Sequence, residues 1–213
     1  GPAFRLNGDK SKAFRAAHSH PNRTIAFVGI WDTVGALGIP FSFMGLLDRN
    51  DEFYDTKMGD NIAVARHALA IDELRPDFEP TIWREHKNMD LQQVWFAGAH
   101  SNIGGSYAPD EDGGVLSDIP MDWIRREAKS SGLHLEAHMI QGLQPTPTAT
   151  LHQSRKHIFR SKRPHYRRIN HGHGPILIHR SVKQRWEADA AYRPKNLVSY
   201  LADHDGQWPA LVG

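Results

Sequence analysis

The run Thr24-Ile25-Ala26-Phe27-Val28-Gly29-Ile30-Trp31 is short, continuously apolar and ended by Asp32. Its length and unbroken hydrophobicity suit a strand buried on both faces of a parallel sheet. Gln93-Val94-Trp95-Phe96-Ala97 repeats the pattern and leads into the glycine-rich stretch Gly98-Ala99-His100-Ser101-Asn102-Ile103-Gly104-Gly105-Ser106-Tyr107. Between the two runs, a segment from Gly35 to about Tyr54 is rich in Gly, Pro and Phe. It is apolar for a surface loop, and reads either as a wall of a binding cleft or as a loop packed on the core. From Met58 to Leu74, the residues Met58, Ile62, Ala65, Leu69 and Leu74 recur at roughly helical spacing, and Pro76 ends the pattern. That spacing predicts a helix.

Downstream, Asp118 is placed to cap a helix, with Pro120 in its first turn and Gly132 just past its end. Ile176-Leu177-Ile178 reads as a short strand, and Ser181 to Trp186 as a brief helix. Residues 142–175 are rich in Pro, His and Arg and resist assignment. Residues 1–22 are polar and basic and read as a helix remnant or loose arm ahead of a unit spanning 23–213; Gly1-Pro2 has the form of a protease-site scar. There is no internal repeat. Strands alternating with helices predict an α/β fold with a parallel, doubly wound sheet.

A chain of 213 residues suits one large α/β domain or part of one, and 39% hydrophobic residues are enough for a core, which excludes wholesale disorder. The absence of cysteine excludes disulfides, thiolate nucleophiles and cysteine-ligated zinc. No apolar run approaches the roughly 20 residues needed to span a bilayer. The N-terminus carries no signal-peptide core, which leaves the cytoplasm and signal-free secretion both open. A formal net charge of +2 is too balanced for charge alone to indicate nucleic acid.

The two strand-like runs end in groups capable of catalysis, Asp32 and His100. In open α/β sheets, sites form outside the carboxyl ends of the strands. An acid followed downstream by a histidine is also the order of the last two members of an α/β-hydrolase triad. A histidine titrating near about 6.5 takes a serine's proton and returns it to the leaving group. A buried carboxylate fixes its tautomer and stabilises the imidazolium. By spacing alone, Asp32 reads equally well as a turn cap and His100 as a hydrogen-bonded loop residue.

A resemblance sharpens this. Phe27-Val28-Gly29-Ile30-Trp31-Asp32-Thr33-Val34-Gly35 resembles the F-x-G-[VI]-W-D-T-V-G signature of an α/β-hydrolase family, long known only as a domain of unknown function, that includes the first group of type VI secretion lipase effectors. Ala65-Arg66-His67-Ala68-Leu69-Ala70-Ile71-Asp72-Glu73-Leu74-Arg75 with Phe78 is similar to its A-x-x-A-L-A-[IL]-D-E-x-R segment. Val94-Trp95-Phe96-Ala97-Gly98-Ala99-His100-Ser101-Asn102-Ile103-Gly104-Gly105-Ser106-Tyr107 resembles its V-W-F-x-G-x-H-[SA]-[DN]-[VI]-G-G-G-Y. Asp118-Ile119-Pro120-Met121-Asp122-Trp123-Ile124 and Tyr192-Arg193-Pro194, followed by Asn196-Leu197, match later landmarks. The resemblance spans about Thr24 to Leu197. It implies an α/β-hydrolase-like, mostly parallel sheet with flanking helices, with Asp32 and His100 as triad acid and base. It further implies a serine esterase, phospholipase A-type, acting on membrane lipid without a cofactor. Trp31, Thr33, Ser101, Asn102, Gly104 and Gly105 are then expected to support the site.

The family's nucleophile sits in a G-x-S-x-G elbow upstream of the W-D-T-V strand, and no such elbow occurs in these residues. The nearest match, Gly104-Gly105-Ser106-Tyr107-Ala108, ends in alanine and follows no strand-to-helix turn. The N-terminal strands and the elbow are therefore expected to lie outside the chain, in another segment or a second chain, and the chain alone is expected to be inactive. The alternative is a catalytically degenerate scaffold that binds a protein partner or a membrane surface.

Other features carry paired readings. Gly98, Gly104 and Gly105 serve either tight turns and close substrate approach or an ordinary glycine turn. Asn102 either positions His100 or caps its loop. Arg155, Lys156, Arg160, Lys162, Arg163, Arg167 and Arg168, with His157 and His165, form a basic run that suits either an anionic membrane surface or a solvated loop face. Nucleic acid is disfavoured. His171-Gly172-His173 lacks a nearby carboxylate and is a poor metal site, so no metal is expected. His152 and His179 read as structural.

Overall fold

A computed structural model describes residues 8–20, 23–34, 59, 61–84, 87–139 and 141–213. Its centre is an all-parallel five-stranded sheet: β1 (Ile25–Trp31), β2 (Ile62–Ala70), β3 (Asp90–Phe96), β4 (Leu177–His179) and β5 (Ala210–Val212). The strands lie side by side in chain order. All five carboxyl ends therefore share one edge of the sheet, the edge at which Asp32 and His100 leave their strands. The helices are α1 (Asp9–His18), α2 (His100–Gly104), α3 (Asp118–Ser130), α4 (Arg180–Ala188) and α5 (Lys195–Asp203). This is the α/β-hydrolase-like, mostly parallel arrangement with flanking helices that the sequence implies. The segment from Gly35 to about Tyr54, expected to wall a cleft or pack on the core, lies outside the described residues.

Both faces of the sheet are apolar, and the period-2 alternation of the strands divides them. Ala68, Ala70, Val94 and Phe96 point to one side, where Ile119, Trp123 and Ile124 of α3 cover them with Ile103 and Leu116. Leu69, Ile71, Trp95 and Ala97 point to the other, against Val182 of α4 and Leu197 of α5, with Ile169 and Tyr192. Burying each of the larger side chains among these contributes roughly 1.5–3 kcal/mol.

The double-sided core corrects the helix expected over Met58–Leu74. The residues at helical spacing, Ile62, Ala65 and Leu69, are interleaved with Ala63, Val64, Ala68 and Ala70, so neither face is turned to solvent. A nine-residue, mostly apolar segment, with its two polar side chains Arg66 and His67 also buried, lies between β1 and β3 as β2. Arg66 interrupts it without solvent: its guanidinium bonds Asp90 Oδ2 at 2.7 Å and Glu127 Oε2 at 2.6 Å, pinning α3 to β2 and β3.

At α3, Asp118 is not the cap. Ser117 occupies that position without a side-chain bond, and the Asp118 carboxylate instead accepts from the Gln144 N–H at 2.7 Å. Gly132 does end the helix, at φ +97°, with the Leu133 N–H reaching back to the Ala128 carbonyl. The expected strand at Ile176–Ile178 and helix at Ser181–Trp186 correspond to β4 and α4, and the N-terminal arm contains α1, which buries no residue. Helices α2 and α5 and strand β5 come from the structure alone. Among the described residues no helix is long and apolar enough to cross a membrane.

Candidate active site

Asp32 is the first residue past β1. Its N–H still bonds the Ala68 carbonyl, at 2.7 Å, but its φ of +44° is left-handed and turns the chain off the strand. Aspartate tolerates that conformation better than most residues. The turn buries the carboxylate completely (0% exposed) beside the end of β2. Thr33 follows, its N–H held by Nε2 of the buried His67 at 3.2 Å and its carbonyl accepting from Thr81 N–H at 2.8 Å. Burial pushes His67 down to about 4, against the opposing Asp32 charge, so it is neutral and accepts at Nε2.

His100 opens α2, four residues past the end of β3. The pairing of β2 with β3 runs on beyond the strands through the Ile71 N–H to Phe96 O and Asp72 N–H to Gly98 O bonds, each 3.0 Å. The Asp72 carboxylate accepts from Gly98 N–H at 2.7 Å and from the Tyr192 hydroxyl at 3.0 Å. Gly98 sits at φ +123°, and a Cβ there would meet Asn102 at 2.5 Å, so only glycine fits. Asn102 caps the loop, its Oδ1 accepting from Ala99 N–H at 3.2 Å. The His100 N–H donates to the fully buried Glu73 at 3.2 Å. Glu73 also collects the Leu74 and Arg75 N–H groups, the Arg75 guanidinium and the Ser154 hydroxyl. Burial would raise the Glu73 carboxyl, but Arg75 and Ser154 hold it below its ordinary range.

These elements bring Asp32 and His100 together. Nδ1 of His100 lies 2.8 Å from Oδ2 of Asp32, and the His100 side chain is 31% exposed. Phe78 packs edge-on against the imidazole, with ring centroids 5.2 Å apart. The other contacts of Asp32 are Ala70 N–H on Oδ1 at 2.8 Å and the Arg167 guanidinium, Nη1 on Oδ1 at 2.6 Å and Nη2 on Oδ2 at 3.0 Å. Burial alone would push the Asp32 carboxyl up. The Arg167 charge and the hydrogen bonds from His100, Arg167 and Ala70 outweigh it and hold the group well below the usual carboxylate range. Because the carboxylate is ionised, it accepts, and the imidazole donates from Nδ1. In the neutral ring that tautomer leaves the lone pair on Nε2.

The other residues expected from the sequence are placed around this pair as follows. Trp31 is half-buried against the core under α3, and Thr33 acts through its backbone. Ser101 and Asn102 line a water-sized cavity with Tyr107, Asp110, Thr150 and His152. A Cβ on Gly104 would meet nothing within 4 Å, and Gly105 has φ +79°, so these two make an open turn at the end of α2. Ser106 lies exposed in the loop that follows, not at a strand-to-helix turn. His152 stacks on Tyr107 at 3.8 Å, and His179 caps α4. His171 and His173 stack on each other, and no cluster of three or more metal-ligating side chains occurs among the described residues.

Within the basic run, where Lys156, Arg160, Arg163 and Arg168 are exposed, Arg167 departs from a surface reading. Arg167, read from sequence with its neighbours as a surface cation, is 1% exposed and bound to Asp32; Lys162 pairs with Asp77 at 2.7 Å and His165 with Glu79 at 2.8 Å. Neither Arg167 nor the neutral His67 carries a local signal: each partner is distant in sequence, 135 and 34 residues away respectively.

A family model described as T6SS, Phospholipase effector Tle1-like, catalytic domain matches residues 3–127, a span that contains both Asp32 and His100. No curated protein matches the chain. One solved structure, titled as an uncharacterized protein from Pseudomonas aeruginosa, is similar at 21% identity with a TM-score of 0.38, over 57% of this chain and 20% of that one. The chain thus spans about a fifth of the length of that structure. With more than half its length matched, the chain belongs to the family of type VI secretion phospholipase effectors, Tle1-like, through their catalytic domain.

Proposed function

We propose that these residues form the acid–base part of a serine-type carboxylic ester hydrolase, phospholipase A-type, with Asp32 and His100 as triad acid and base. The observation that carries the reading is the 2.8 Å contact between His100 Nδ1 and the ionised, buried Asp32, at the shared carboxyl edge of parallel strands, with the imidazole partly open to solvent. Membership of a phospholipase effector family supports an acyl-lipid substrate. A serine from a segment or chain beyond these 213 residues supplies the nucleophile, since no G-x-S-x-G occurs within them.

In that reaction His100 Nε2 removes the serine proton as the hydroxyl attacks the ester carbonyl. The tetrahedral oxyanion collapses, and the imidazolium returns the proton to the departing lysolipid oxygen. Water, deprotonated by the same nitrogen, then attacks the acyl-serine, and the imidazolium returns that proton to the serine oxygen as the fatty acid leaves. Asp32 stabilises the imidazolium at each stage and prevents the ring from turning over.

The test is fatty-acid release from phospholipid vesicles by a longer protein carrying these residues and a serine elbow. His100→Ala and the 213-residue chain are run beside it. Turnover by the longer protein, a loss of about 10³-fold or more in His100→Ala and an inert short chain are expected. Undiminished turnover in His100→Ala contradicts the proposal. A longer protein with a substituted elbow serine, inert on every ester, selects the degenerate scaffold instead.

A further inference from the structure

Arg167 reaches the site from an irregular segment far along the chain and is almost fully enclosed there. Its guanidinium is fixed from two further directions, by the Ala70 carbonyl at 2.9 Å and by a short bond to the Phe78 carbonyl. Those two acceptors hold the plane of the fork in register with the Asp32 carboxylate, so that each oxygen takes one arginine N–H. Such a contact leaves one direction on each oxygen unused. Ala70 N–H takes the one on Oδ1, and His100 takes the one on Oδ2.

Without the guanidinium, a fully enclosed carboxylate would keep only one backbone donor and one imidazole. Burial at that cost drives a carboxyl group toward its neutral form. A protonated Asp32 neither balances an imidazolium nor fixes its tautomer. Truncating one partner of a buried pair leaves the other charge stranded, whereas surface pairs are nearly neutral to such changes.

We propose that Arg167 is the positioning residue of the Asp32–His100 couple: it keeps the buried carboxylate charged and aims Oδ2 at the imidazole. The catalytic meaning of this role rests on the ester-hydrolase reading above. The charge state can be measured on the 213-residue chain without any turnover, so the two stand or fall separately.

The experiment follows the Asp32 carboxyl ¹³C signal from about pH 4.5 to 8, in the wild-type chain and in Arg167→Met and Arg167→Lys, each checked for folding by circular dichroism. The wild-type signal is expected to be flat. Arg167→Met is expected to bring a titration step into that window, and below the step the His100 ring is expected to lose its Nδ1–H tautomer. Arg167→Lys, which keeps charge but not the fork, is expected to show a smaller upward move and carries the test if the methionine variant does not fold. A merely structural role would disturb packing without a carboxyl step. A wild-type step inside the window, or flat signals in the folded variants, overturns the proposal.

In a serine-bearing form, Arg167→Met is expected to lower kcat on the order of 10²-fold with KM little changed, the loss easing as pH rises. A pH-independent loss speaks against it. If the carboxyl behaves as expected while the wild-type serine-bearing form hydrolyses no ester, it is the hydrolase reading that fails.

Discussion

His100 and His179 occupy equivalent places: each stands where a strand of the parallel sheet gives way to a helix, His100 after β3 and His179 at the end of β4. Their chemistry is opposite. Nδ1 of His100 meets the Asp32 carboxylate, and the ring is partly open. Nδ1 of His179 accepts from the Ser181 N–H, capping α4, and lies 2.8 Å from the Ser181 hydroxyl; the ring is buried and stacks on Phe96 at 4.8 Å. Burial, with Arg126 and Arg180 nearby, pushes His179 down to about 4. One ring meets a buried carboxylate and keeps its far edge partly open, while the other is enclosed and held neutral. The sheet edge supplies histidines with a common geometry, and the partner at Nδ1 decides what each does.

The largest effect expected from this contrast is on turnover. In a serine-bearing form, His179→Asn, which keeps an acceptor for the helix cap, is expected to cost no more than a few-fold, while His100→Asn costs about 10³-fold. Equal losses would erase the distinction.

The next concerns stability in acid. His67 and His179 both titrate near 4 when folded, against 6.5 when free. A depressed histidine contributes stability that is present above the unfolded value and lost as pH falls through the folded one. Each is therefore worth up to roughly 3 kcal/mol between those limits. Urea unfolding between pH 7 and 4 is expected to show a falling midpoint, with a shallower fall in His179→Asn. A fall unchanged by that substitution would move the proton uptake elsewhere.

The smallest effect has the opposite sign. Burial pushes the half-buried Asp72 up to about 6 despite the bonds from Gly98 and Tyr192. A raised carboxyl gives stability that is full below its unfolded value and lost as pH rises through the folded one. Asp72→Asn keeps an acceptor for Gly98 N–H, and is expected to raise Tm by a few degrees above neutral pH and not at pH 4. A gain at both pH values would mean that the effect is not titration.

Much of this was legible in the sequence, for reasons that differ by residue. The strands ending at Trp31 and Phe96 announce themselves by unbroken hydrophobicity, and the polar residues after them mark the sheet edge. β2 did not, because Ile62, Ala65 and Leu69 imitate a helix while the small residues between them hide a two-faced core. Arg167 was illegible because a cation among cations gives no local sign that it turns inward; only the fold brings it to Asp32. His67 was quoted as part of a motif, yet its bond to Thr33 depends on the register of β1 against β2, in which Ile30 lies beside His67.

The most direct test of the central claim is ¹⁵N NMR of the imidazole rings in this chain near pH 8. His100 is expected to carry its proton on Nδ1, with Nε2 bare, and His179 to carry its proton on Nε2. A proton on Nε2 of His100 would mean that Asp32 does not hold the ring, and would contradict the assignment of His100 as a base.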